Sequence, residues 1–121
     1  MTQEDKELLL VELSTRLPYG VKVEYENKIF DIDYISSYQE IKLDDYIFNY
    51  TIDVSDVKPY LFPLSSMTEE QKEEFDRLYT YDALIVEPQW KLIDFCNKHH
   101  LDYRGLIPMG LAIDTTGLNI Y

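Results

Sequence analysis

The chain reads as an α+β fold: an amino-terminal helix, an antiparallel meander of three to five short strands, and two helices in the carboxy-terminal half. Three observations predict it. Apolar residues recur at helical spacing before Pro18, alternate with polar ones between Val21 and Ile52, and return to helical spacing after Thr68. The meander is either open or curled into a small SH3-like barrel. With 121 residues, 45% of them hydrophobic, the chain has the length of one domain and enough apolar side chains to close a core without disulfides. No repeat, low-complexity tract or Gly/Ser linker interrupts it, so residues 1–121 are expected to form a single acidic domain.

Thr2, with Asp5 three residues on, resembles a capping box, and Leu9, Leu10, Leu13 and Leu17 recur at helical spacing, which predicts a helix over residues 3–16. Pro18 and Gly20 end it. Val21, Val23 and Tyr25 then alternate with Lys22 and Glu24. Glu26-Asn27 offers a turn, and residues 29–35 again carry a strand pattern, so a hairpin is expected. A third β-rich run covers residues 41–52, with Asp44-Asp45 as a turn or bulge inside it. Pro59 and Pro63, among Tyr60, Leu61, Phe62 and Leu64, predict an extended, partly buried connector over residues 53–66 rather than a regular strand. Thr68 with Gln71, and Glu69 and Glu70 in the first turn, open a second helix whose apolar face is Phe75, Leu78 and Tyr79. A third helix is expected to begin near Glu87-Pro88 and to carry Leu92, Phe95, Cys96 and His99 on one side. Leu111–Tyr121 alternates around Gly117 and adds a further strand.

Charge narrows the function classes. The 23 Asp and Glu against 11 Lys and Arg leave a formal net charge of −12. Nucleic-acid binding uses clustered cations to displace counterions, and the chain has no run of them. The same charge disfavours anionic membrane surfaces, and the apolar run Leu8–Val11 is too short to span a bilayer. The first six residues lack a basic region followed by an apolar one, and the single cysteine, Cys96, cannot form an internal disulfide; both fit a cytoplasmic setting.

Three stretches carry a resemblance: Leu17-Pro18-Tyr19-Gly20-Val21-Lys22-Val23; Val57-Lys58-Pro59-Tyr60-Leu61 with Pro63-Leu64-Ser65-Ser66-Met67-Thr68-Glu69-Glu70; and His100 with Asp102-Tyr103-Arg104-Gly105-Leu106-Ile107. They resemble a family of short uncharacterised proteins of gut bacteria and of their phages and mobile elements. The similarity covers about a third of the positions, and Leu101 stands where an aromatic residue is expected. It implies a phage or mobile-element context and, the family having no assigned activity, carries over no catalytic residue.

Cys96, His99, His100 and Asp102 are the densest group of potential metal ligands. Structural zinc needs a second ligand pair, and the chain holds no other Cys or His, so neither a metal nor another cofactor is expected. A Cys96–His nucleophile pair requires side-chain contact, whereas Cys96 falls on the predicted apolar face. Asp31 and Asp33 share a strand face, and Glu69, Glu70, Glu73 and Glu74 form the solvated face of a helix. Arg104 is expected to ion-pair and hold the carboxy-terminal half to the sheet, with Gly105 as a positive-φ turn. Tyr25, Tyr34, Tyr38, Tyr46 and Tyr50 either line a recognition surface or finish a wet-rimmed core.

These features lead to a non-enzymatic protein-interaction module whose partner presents a basic surface, with His99, His100, Asp102, Tyr103 and Arg104 as the candidate interaction or ligand site. A sharper form is an acidic surface imitating a nucleic-acid backbone. The alternative is a small enzyme or ligand-binding domain with a pocket near the last helix.

Overall fold

In the computed structural model, which describes residues 1–45, 47, 50–81 and 89–121, the Thr2 hydroxyl accepts the Asp5 amide and opens helix α1 (Gln3–Arg16). A 3-10 turn over Leu17–Tyr19 and a left-handed Gly20, φ 72°, then swing the chain into β1 (Lys22–Tyr25). Glu26 and Asn27 both take positive φ, 50° and 63°, the two-residue hairpin conformation whose twist matches the flanking strands. They lead into β2 (Lys28–Ile35), which pairs with β3 (Glu40–Leu43) across a register shift between Ile32 and Tyr34. Two-residue strands, β4 (Ile52–Asp53) and β6 (Ile113–Asp114), close the two edges, so the order is β4-β3-β2-β1-β5-β6 with β5 as Lys58–Leu61. All pairs are antiparallel except β5 with β6, which makes a curled, mixed half-barrel.

The segment expected to be an irregular connector departs from that expectation, because β5 sits inside the sheet between β1 and β6. Pro59 lacks a donor, yet its ladder with β1 is only two pairs long, Val23 with Pro59 and Glu24 with Lys58. Pro59, Tyr60 and Leu61 are all buried. Apolar residues without alternation suit a strand covered on both faces, a pattern that periodicity alone does not separate from a buried loop. The predicted strand over residues 46–52 includes Tyr46, Phe48 and Asn49, which lie outside the described residues; regular pairing is seen at Ile52 and Asp53.

α1 lays Leu9 and Leu13 on a cluster formed by Val21, Val23, Ile41, Leu43, Ile52, Val54, Val57 and Leu61, and Leu106, Leu111 and Ala112 complete it. Each fully buried Leu or Val contributes about 1.5–3 kcal/mol. Beyond β5, Thr68 and Gln71 form a reciprocal capping box that starts α2 (Glu69–Asp76), which runs into a π-helical turn at Arg77–Tyr81. α3 is Gln89–Lys98; the start expected near Glu87 and Pro88 lies outside the described residues. Tyr19 donates its hydroxyl to Asp94, fastening α3 to the end of α1. Among the described residues no helix is long and apolar enough to cross a membrane.

Candidate functional site

The last turn of α3 sets the geometry of the candidate residues. Leu101 N–H donates to Cys96 O at 2.8 Å and His100 N–H to Asn97 O at 3.2 Å, the bond pair that closes a helix through a left-handed residue. Glycine usually holds that position, but here it is His100, at φ 56°. Phe62 N–H then donates to His100 O and Asp102 N–H to Phe62 O, both at 2.8 Å, so the exit from α3 is stitched alongside the continuation of β5. The reversal sends His99 and His100 to different neighbourhoods.

His99 lines an open groove between α2 and α3, bounded by Glu70, Gln71, Glu73, Glu74, Arg77 and Phe95, with a volume of about 490 Å³. The groove continues past Arg77 and Phe95 to Leu78, Trp90, Lys91, Asp94 and Lys98. Gln71 links the groove to the α2 cap: its Oε1 accepts Thr68 N–H at 3.0 Å, which turns its amide nitrogen toward His99 Nδ1 at 3.3 Å. An amide NH₂ only donates, so Nδ1 accepts and the ring proton sits on Nε2. Burial, then neighbouring Lys98, lowers the His99 pKa and keeps the ring neutral. The Phe95 ring lies 4.6 Å from the His99 ring, and the two give the groove an aromatic floor.

His100 turns to the sheet side, where its ring stacks on Tyr121 at 3.6 Å and 9°. The Tyr121 hydroxyl donates to Tyr60 O at 2.7 Å and accepts Lys22 N–H at 2.9 Å, bridging β1 and β5 just beyond the Val23–Pro59 end of their ladder. Burial, with Arg16, His99 and Lys22 adding repulsion, lowers the His100 pKa to about 4. Burial likewise raises Tyr121 to about 12. Cys96, buried one turn earlier, has its thiol pushed up to about 11 by desolvation, Arg16 opposing and Glu12 adding to the rise, so it is a protonated apolar side chain at neutral pH.

Beneath them lies a buried charged cluster. Glu12 and Arg16, both fully buried on α1, pair through Glu12 Oε2 and Arg16 Nε at 2.8 Å. Arg16 also donates Nη2–H to Leu101 O at 2.6 Å. Arg104 Nε stands 2.7 Å from Glu12 Oε1 without the alignment of a hydrogen bond, which makes that contact Coulombic. Both guanidiniums lie over the Tyr103 ring, Arg16 at 5.2 Å and Arg104 at 5.4 Å from its centre. Asp102 accepts the Leu106 and Ile107 amides at 2.8 and 2.9 Å and folds the chain around Gly105, φ 76°. The expected ion pair of Arg104 is present, but its carboxylate is on α1 and not on the sheet.

No protein-family model matches this chain, no curated protein is similar to it, and no solved structure is similar to it. The fold and its contacts are therefore the ground for any functional argument.

The five candidate residues separate into three tasks. His99 faces the groove, His100 the Tyr121 seam, and Asp102, Tyr103 and Arg104 the turn and the buried cluster. Among the described residues no three His, Cys, Asp or Glu side chains gather as a metal site. Asp31 and Asp33 are exposed, and Asp31 pairs with Lys22 at 2.9 Å. The tyrosines divide as well: Tyr25 packs on the core and tilts against Phe30, whereas Tyr34, Tyr38 and Tyr50 are exposed and Tyr46 is outside the described residues. Sequence reasoning missed Glu12 and Arg16. Their signal was present, since Leu9, Glu12, Leu13 and Arg16 share one helical face and place two charges on an apolar stripe.

Proposed function

We propose that this protein is a non-catalytic interaction module that engages the basic surface of a protein partner, in a phage or mobile-element setting. One observation carries the proposal: Glu70 and Glu73 stand exposed on the rim of an open groove with an aromatic floor, and no ion pair holds either among the described residues. In a chain of net charge −12 this rim attracts cations and steers their approach. The groups that chemistry would need are engaged elsewhere. Cys96 is a buried, protonated thiol, His100 is packed on Tyr121, and Arg104 is committed to Glu12. These engagements favour docking over the small-enzyme alternative.

The immobilised protein is expected to retain a specific basic protein from a bacterial lysate at about 50 mM salt and to release it at about 500 mM, because the Debye length shrinks several-fold over that range. Retention of nothing specific at low salt, or retention insensitive to salt, defeats the proposal.

A further inference from the structure

Charge along the α2–α3 groove is graded. At the His99 end the rim is Glu70 and Glu73, while Glu74 is already paired with Arg77 at 2.7 Å. At the Trp90 end Lys91 and Lys98 accompany Asp94. α3 also ends at Lys98, next to His99, so the negative end of its dipole lies on the acidic side. Between the two ends lies Phe95, and at the far end Trp90 is 61% exposed. The fixed tautomer of His99 leaves Nε2–H as that ring's remaining donor.

We infer that this groove is the docking site for a peptide segment of the partner that is basic at one end, apolar in the middle and acidic or uncharged at the other. Its cations lie against Glu70 and Glu73, its apolar side chain covers Phe95, and its far end reaches Trp90, Lys91 and Lys98. A backbone carbonyl near the basic end accepts the His99 Nε2 proton. The assignment rests on the interaction-module function proposed above. Complementarity of charge selects this occupant: an acidic segment meets Glu70 and Glu73 with like charge, and a uniformly basic one meets Lys91 and Lys98.

The test titrates the ¹⁵N-labelled protein with acetyl-Arg-Lys-Leu-Ser-Glu-amide and, separately, with its charge-reversed counterpart acetyl-Glu-Glu-Leu-Ser-Lys-amide. The first peptide is expected to shift amides of residues 70–74 and 95–99 and to bind more tightly than the second. Glu70→Gln with Glu73→Gln, both exposed and harmless to folding, is expected to weaken it about tenfold. Shifts confined to the sheet, equal affinity for both peptides, or an undiminished affinity in the double variant overturns the groove assignment. Absence of binding by either peptide overturns it too. If a basic protein is still captured from lysate in a salt-dependent way, the interaction function stands and only its placement in the groove fails.

Discussion

Glu12 is fully buried and faces two guanidiniums, so its charge is what makes the interior placement of Arg16 tolerable. Removing one partner of such a cluster leaves an uncompensated buried charge, whereas replacing all partners with apolar groups need cost little. Glu12→Ala is expected to lower unfolding free energy by about 3–5 kcal/mol in urea titration, and a loss under about 1 kcal/mol contradicts the ionic account. His100 makes the residue-scale pH prediction. The unfolded ring takes up a proton as pH falls through its ordinary value near 6.5, while the folded ring, among Arg16, His99, Lys22 and the Tyr121 face, resists until about 4. The unfolded state therefore binds more protons in that window, and stability complete above about 6.5 drains away towards about 4. His99, shifted the same way, adds to the loss. Asparagine tolerates the left-handed backbone and does not titrate, so His100→Asn should shrink the drop in urea midpoint between pH 7 and 4.5. An unchanged drop excludes His100 as a source.

At the scale of elements, the start of α2 was legible in the sequence because a capping box is a local device: Thr68 and Gln71 recognise each other across three residues. Thr68→Ala is expected to cost about 1 kcal/mol, read by thermal unfolding. It should also perturb the His99 ring resonances, since losing the bond from Gln71 N–H to the Thr68 hydroxyl loosens the reciprocal box in which Gln71 Oε1 holds Thr68 N–H and its amide nitrogen is aimed at His99. A His99 ring that does not respond shows that the cap and the groove are uncoupled. The hairpin of β1 and β2 was legible for a similar reason, its turn residues and alternation lying within one short stretch. β5 was not. Pro59 argues against a strand locally, and only the neighbours on both sides, β1 and β6, show that two ladder pairs and the burial of Pro59, Tyr60 and Leu61 suffice.

Across the whole molecule, acidic self-repulsion competes with a handful of surface pairs. Lys6–Asp53, Lys22–Asp31 and Arg77–Glu74 are partly exposed, and such pairs contribute about 0–1 kcal/mol each. Against them stand 23 acidic side chains and 11 basic ones. Raising NaCl from about 10 to about 150 mM shortens the Debye length from roughly 30 to 8 Å and screens the repulsion more than it weakens the few pairs. The melting temperature is therefore expected to rise with salt over this range. A fall shows that attractive pairs dominate the surface after all.

What the amino-acid order determined by itself is what depends on neighbours within a few residues: helix starts, hairpin turns, the apolar stripe of α1 and the sign of the surface. The candidate segment 99–104 was visible as a cluster of polar types, but its division of labour was not. The tertiary structure alone decided that His99 lines a groove while His100 stacks on Tyr121, that Arg16 reaches a carbonyl 85 residues away, and that Tyr121 bonds an amide 99 residues away. Such contacts leave no spacing in the chain. They arise because a left-handed turn at the end of α3 reverses direction and the core brings distant polar groups to one place, where burial favours pairing between them.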